Sequence, residues 1–192
     1  MHIDRHTDCL GANLGLHLNS MPNLRGLPIA DYLNASVNFP AGPVPLFRWD
    51  NYLSIHIAAF GNNLRKLISA DHDDGDRPDH PDVWRPLSHE LPENILHWMQ
   101  SSSSPWIVNV DLDYFFCAGE NAQQQEEGEW LPLFSEDYIN SVFSNVRKGI
   151  DAGLVKVVTV CLTPSNFTPG WQQCSDLSQA IFKILGAKHP KI

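Results

Sequence analysis

Residues 106–116 read WIVNVDLDYFF, and this stretch decides the fold class. A Ser- and Pro-rich turn, SSSSP at 101–105, precedes it, and the run stays apolar until Asp111 and Asp113 interrupt it. Such a run predicts a strand of the kind found inside parallel sheets, which are covered on their faces. Parallel sheets place their chemistry at the carboxyl ends of their strands, and two aspartates two residues apart on a strand share one face.

Working outward toward the C-terminus, Ser135 can cap a helix with Glu136 and Asp137 in its first turn. Ile139, Val142, Phe143, Val146 and Ile150 form its apolar stripe before Gly153. LVKVVTVCLT, residues 154–163, is a β-branched run of buried-strand type, and TPSNFTPGW at 163–171 is the loop leaving it. A final helix from Ser175 is expected to bury Leu177, Ala180, Ile181, Ile184 and Leu185 before Gly186. Strand, helix, strand, helix in this order predicts an α/β fold, a mostly parallel sheet flanked by helices in three layers. One domain spanning residues 1–192 is expected.

Toward the N-terminus, MHIDRHTD places His2, Asp4, His6 and Asp8 at alternate positions. On an extended strand all four would project from one face at intervals of about 6 to 7 Å. Burying that row requires its charge to be neutralised, and a cation is the simplest partner. Residues 9–50, rich in Gly, Asn and Pro, read as a long irregular segment. From Asn51, a candidate N-cap, Leu53, Ile57, Phe60, Leu64 and Leu67 fall at helical spacing, predicting a helix weakened at Gly61. DHDDGDRPDHPD at 71–82 reads as a solvated acidic loop, with His72 and His80 as surface groups. It is no calcium loop, because Gly75 comes one place early and no glutamate holds the twelfth position. The residues between Cys117 and Leu131 read as a polar excursion.

The excess of 22 acidic over 13 basic residues, a net charge of -9, argues against nucleic acid and favours a cationic ligand or a metal. Cys9, Cys117, Cys161 and Cys174 are widely separated, suggesting neither a zinc ribbon nor a disulfide framework. No apolar run reaches membrane-spanning length and no secretory pattern opens the chain, so no membrane partner and a cytoplasmic location are expected.

Set side by side, Asp4, His6, Asp8, Asp111 and Asp113 make four carboxylates and an imidazole that would repel one another without a cation. Oxygen-rich ligation suits Mn²⁺ or a similar divalent ion. Five ligands exceed what one catalytic metal commonly needs, which points to two ions sharing carboxylates and a bridging hydroxide, roughly 3.5 to 4 Å apart.

DRHTD (4–8) resembles the D-x-H-x-D metal motif of the arginase and agmatinase (ureohydrolase) superfamily, and VDLDYF (110–115) resembles its D-x-D motif. The closer likeness is to the peptide arginases, which convert arginine to ornithine inside ribosomally made peptides. DNYLS at 50–54 and LTPSNFTPGW at 162–171 also have counterparts there. The resemblance implies an arginase-like fold and a dinuclear manganese site in which Asp4 and Asp111 bridge the ions. Asp8 then completes the first ion, and His6 with Asp113 the second. It also implies attack on a guanidinium carbon with release of urea, and an arginine-containing precursor peptide as partner. His56 and His17 are candidate proton shuttles for the departing amine, His56 being preferred for its place in the first turn of a helix.

One departure stands out. Ureohydrolases supply a further histidine from an earlier strand, and three residues precede Asp4 here. His2 or a later histidine substitutes, or the first ion is held more weakly, or an earlier segment is missing from the recorded start. The alternatives to a peptide arginase are another hydrolase of this architecture, acting on a small guanidino compound or an acetylated amine, and a metal-binding protein without turnover. The short chain favours an open site suited to a peptide, although a homo-oligomer could complete it.

Overall fold

The computed structural model describes residues 1–119, 130–163 and 167–190. Its strands are β1 (His2–Ile3), β2 (Ser36–Phe39), β3 (Gly42–Pro45), β4 (Leu67–Ala70), β5 (Val83–Trp84), β6 (Trp106–Asp111), β7 (Phe116–Ala118), β8 (Trp130–Pro132) and β9 (Val155–Cys161). Its helices are α1 (Leu14–Asn19), α2 (Ile29–Asn34), α3 (Tyr52–Phe60), α4 (Leu91–Gln100), α5 (Glu136–Asp151) and α6 (Trp171–Leu185). The chain forms two compact units, the first of Met1–Arg5, Ile68–His72 and Trp84–Ile192, the second of His6–Leu67 and Asp73–Val83.

The first unit is built on a five-stranded sheet in the order β5-β4-β1-β6-β9, with β4, β1, β6 and β9 parallel in succession. With its flanking helices it is the α/β architecture that the order of elements predicts. Residues Trp106, Val108 and Val110 of β6 are buried, whereas Ile107 is 61% exposed, so the strand has one helix-covered face. That covered face shares a core with Leu91, Ile95 and Met99 of α4, Val142, Phe143 and Val146 of α5, and Ile181 and Leu185 of α6. Burying these side chains contributes roughly 1.5 to 3 kcal/mol each for the larger ones.

Helix α5 follows its sequence pattern closely. The Ser135 Oγ accepts from the Tyr138 N–H at 3.2 Å, and Gly153, at φ 72°, provides the left-handed turn at the other end. Helix α6 begins at Trp171, a turn before the expected start, which brings Cys174 and Ser178 onto the buried face while Ala180 stays exposed. Helix α4 has no counterpart in the sequence reading. Its signals are Pro92 in the first turn and apolar residues at 91, 95, 98 and 99, which match helical spacing. Strand β9 differs from its buried-strand appearance: Lys156, Val157, Thr159 and Cys161 are exposed, because it stands at the end of the strand order.

The second unit corrects two expectations. Residues 9–50 are not irregular throughout: they hold α1, α2 and a hairpin in which Val37 pairs with Val44. Pro43 and Pro45 disguise β3 in the sequence, and a two-stranded ribbon tolerates them because each strand has an unpaired side. Helix α3 stops at Phe60 and gives way to a 3₁₀ turn at Gly61–Asn63, since Gly-Asn-Asn is a run of weak helix formers. Asn51 does not cap it; its Oδ1 accepts from the Arg48 N–H instead. Cys9, Ile57 and Leu67 form the small core here, with Leu53, Leu64 and Val83 against them.

The acidic stretch at 71–82 is also not wholly solvated. The Asp71 side chain is fully buried, receives the Ser69 hydroxyl at 2.6 Å, and is gripped by the Arg85 guanidinium through two nitrogens. Removing one partner of a buried pair strands the other charge, which costs about 3–5 kcal/mol. Arg85→Ala is therefore expected to cost about 3 kcal/mol in urea unfolding, the low end because Arg85 is itself 25% exposed. A loss under about 0.5 kcal/mol, the size of a surface substitution, would return Asp71 to the solvated loop.

Candidate metal centre

Strands β1 and β6 are neighbours and parallel, so their carboxyl ends open on the same edge of the sheet. Asp4 follows the last residue of β1 and keeps the ladder going, its N–H donating to the Ala70 carbonyl at 3.1 Å. Asp111 ends β6 and caps a 3₁₀ turn, Leu112–Phe115, that carries Asp113. Asp113 therefore departs from the strand alternation expected for it. The turn is anchored by buried Leu112, Tyr114 and Phe115, which fixes the Asp113 carboxyl, itself 0% exposed.

The local donors all converge on these oxygens. The Arg5 N–H donates to Asp113 Oδ1 at 3.1 Å, the Asp113 N–H to Asp111 Oδ1 at 3.3 Å, and the Thr163 hydroxyl to Asp111 Oδ1 at 2.5 Å. Carboxylate oxygens of Asp4 and Asp113 lie within 4.8 Å of each other. His2, 2% exposed, places Nε2 3.6 Å from Asp4 Oδ2. Thus His2, Asp4, Asp111 and Asp113 meet in the first unit.

Electrostatics at this edge follow from burial. Desolvation, then the Asp113 and Asp4 charges, push the Asp111 carboxyl up from 3.8 to about 7, against opposing hydrogen bonds from Thr163 and Cys161. The Cys161 thiol is pushed up to about 11 by desolvation and by Asp111, so in the metal-free protein it is protonated at neutral pH. Three carboxyls with an imidazole form a hard, oxygen-rich donor set that fits Mn²⁺ or a comparable divalent cation.

The remaining site residues from the sequence lie in the second unit. The expected row of four ligands on one strand is not formed, because β1 ends at Ile3 and Asp8 adopts φ 50°. His6 makes an isolated bridge with Asp74, puts Nε2 3.7 Å from Asp74 Oδ2, and sets its ring edge-on to Trp49. Asp8 is 7% exposed and its carbonyl accepts from the Leu53 N–H. Both residues line a cleft of about 230 Å³ that also holds Trp49, Asp50, Asp74 and Asp76. His17 is buried, its Nδ1 3.0 Å from the Leu46 carbonyl oxygen. His56 holds the Tyr52 carbonyl through Nδ1 at 2.7 Å, among the rings of Tyr32, Phe47, Tyr52 and Phe60. For both histidines the Nδ1 is engaged by the fold, so proton transfer at either would run through Nε2.

His72 is the residue whose sequence reading failed. It is half-buried at the end of β4, its ring 4.8 Å from that of Tyr114 and its Nε2 out of contact with solvent. Burial and then Arg5 lower its pKa, while Asp113, Asp71 and Asp4 pull the other way. The available signal was LISADH, an apolar run ending in Asp-His, the same signature as the end of β6.

No protein-family profile matches the chain, and no curated protein or solved structure matches it either.

Asp111 links this centre to pH. In the folded metal-free protein it keeps its proton up to about pH 7, whereas the unfolded chain releases it near 3.8. The folded state therefore binds the extra proton between those values, and its contribution to stability falls as pH rises through them. Asp111→Asn keeps the oxygen that Thr163 and Asp113 bond. The stability of the metal-free wild type relative to this variant should drop between pH 5 and 7.5. Saturating Mn²⁺ should reverse the order at pH 7.5, and parallel pH profiles in urea titrations would contradict the assignment.

Proposed function

We propose that the protein is a manganese-dependent peptide arginase of three-layer, arginase-like fold, converting arginine residues of a ribosomally made precursor peptide to ornithine with release of urea in the cytoplasm. The observation that carries the reading is the meeting of buried Asp4 and Asp113 with half-buried Asp111, which accepts the Asp113 N–H, at the ends of adjacent parallel strands, all three being residues of the D-x-H-x-D and D-x-D motifs. Asp4 and Asp111 would be shared by two ions, with Asp8 assigned to one and His6 and Asp113 to the other. Bound there, divalent ions supply the Lewis acidity that makes hydrolysis feasible at neutral pH.

The protein's own groups supply the rest. Backbone N–H groups of Arg5 and Asp113 orient the carboxyls, so that their geometry is set before a ligand arrives. In the second unit, Asp74 and Asp76 beside the 64% exposed Trp49 offer a cationic guanidinium carboxylate oxygens and an aromatic face, while Asp50 in the same cleft is paired with Arg48 at 2.6 Å. That chemistry supports a positively charged substrate over an acetylated amine. His56 and His17 are the proposed proton donors to the departing amine. Among the described residues no helix is long and apolar enough to cross a membrane.

The test is incubation of the metal-loaded protein with an arginine-containing peptide and, separately, with free arginine. Urea release with a peptide mass loss matching guanidinium-to-amine conversion is expected, abolished by chelator. Asp113→Asn should lower turnover at least about 100-fold, equivalent to roughly 3 kcal/mol of barrier. No urea from either substrate, with bound manganese confirmed, would sink the arginase reading.

A further inference from the structure

We propose that His2 is the imidazole ligand of the cation held by Asp4, binding through Nε2, and that Asn109, supported by Thr159, is the positioning residue that permits the required tautomer. This inference rests on the metal-centre reading above and goes beyond its motif residues.

His2, Asn109 and Thr159 are register partners on β1, β6 and β9, so they form one row on one face of the sheet. Two hydrogen bonds link the row, and an ion-pair contact leads from it to Asp4. Thr159 Oγ1 donates to Asn109 Oδ1 at 2.5 Å, Asn109 Nδ2 stands 3.1 Å from His2 Nδ1, and His2 Nε2 stands 3.6 Å from Asp4 Oδ2. The row below it on the same face is apolar, Ile107 beside Val157, which makes a polar row at this level a chosen feature rather than a strand default.

A neutral imidazole has one N–H and one lone pair, and a partner on one nitrogen decides the state of the other. With Thr159 donating to Oδ1, the Asn109 amide donates to Nδ1, and the His2 proton sits on Nε2 facing the Asp4 carboxylate. That state holds Asp4 in place without a metal. Turning the amide over puts Oδ1 against Nδ1–H and Nδ2 against the Thr159 oxygen. A hydroxyl both donates and accepts, so Thr159 serves either orientation. The Thr159–Asn109 and Asn109–His2 hydrogen bonds are kept, the Nε2–H contact with Asp4 is given up, and the Nε2 lone pair now faces the cation side. One proton leaves Nε2 and one arrives at Nδ1, with no net change in charge.

A metal-ligating histidine whose other nitrogen donates to a fixed oxygen is the usual arrangement, and loss of that oxygen typically costs 10–100-fold in metal affinity. Asp111 and Asp113 come from the strand-end motif; His2 would add the nitrogen that the carboxyl cluster of the first unit otherwise draws from no motif.

The chemistry of position 109 makes the test. Asn109→Asp can only accept, which fixes the loaded tautomer, so its Mn²⁺ affinity by calorimetry should equal or exceed that of the wild type. Asn109→Leu should lose about 10–100-fold, and His2→Ala at least as much, with melting of the metal-free proteins checking the fold. Nitrogen-15 histidine spectra of the Zn²⁺-loaded wild type should show His2 protonated on Nδ1. If Asn109→Leu fails to fold, the aspartate variant and the spectra carry the decision. Wild-type binding with Nε2 still protonated, or with Asn109→Asp weakened as much as His2→Ala, overturns this inference and leaves the metal centre standing. A wild type that binds neither Mn²⁺ nor Zn²⁺ removes both.

Discussion

Repulsion of the half-buried Asp111 carboxyl by buried Asp4 and Asp113 is the constraint around which the first unit is arranged. An isolated carboxylate taken out of water is costly, and three together are more so. The backbone offsets part of this locally: the Arg5 N–H, just past β1, donates to Asp113, and the 3₁₀ turn delivers the Asp113 N–H to Asp111. What the backbone does not offset appears as the raised Asp111 carboxyl. A cation bound there would favour the ionised form of Asp111.

That strained edge persists because the rest of the unit over-determines it. The even-numbered residues of β6 enter a continuous apolar core with α4, α5 and α6, and Tyr114 and Phe115 extend that core directly beneath Asp113. The turn cannot relax outward without exposing two aromatic rings, each worth several kcal/mol of burial. The odd-numbered face does something different. It passes from Ile107 to Asn109 to Asp111 along one strand, from apolar to amide to carboxyl, so the polarity of the sheet rises steadily toward its carboxyl edge.

How much of this was legible in the sequence depends on the range of the forces involved. The start of the strand at Trp106, helix α5 and the two acidic motifs were readable because periodicity and capping are local signals, whereas the strand expected to run through Phe116 gives way at Leu112 to a 3₁₀ turn. Helix α4 was missed although its spacing was present, and β9 was read as buried because composition reports apolarity and not position in the strand order. The hairpin of β2 and β3 hid behind prolines that only a two-stranded ribbon accommodates. At the site, Asp4, Asp111 and Asp113 were found from their spacing. The importance of His72 depends on β4 lying beside β1, a neighbourhood set by residues more than sixty positions apart, and the Asp71–Arg85 pair on β4 lying beside β5. The same holds for Asn109 and Thr159, which are unremarkable in sequence and acquire meaning only through register.

Under the proposed function the two units would divide the chemistry according to where each kind of information resides. Carboxyls at strand ends are held by ladders and a packed turn, and rigid elements of this type fix the class of reaction. The second unit is a short-element, Pro- and Gly-rich assembly whose cleft presents aspartates and Trp49, and surfaces of this type set the charge and shape of what is accepted. The proposed hydrolysis of a guanidinium would draw its chemistry from the carboxyls of the first unit and its preference for a cation from the acidic cleft of the second. Each reading rests on different residues, so Asp111 and Asp113 can be altered to question the chemistry while Asp76 and Trp49 are altered to question the substrate.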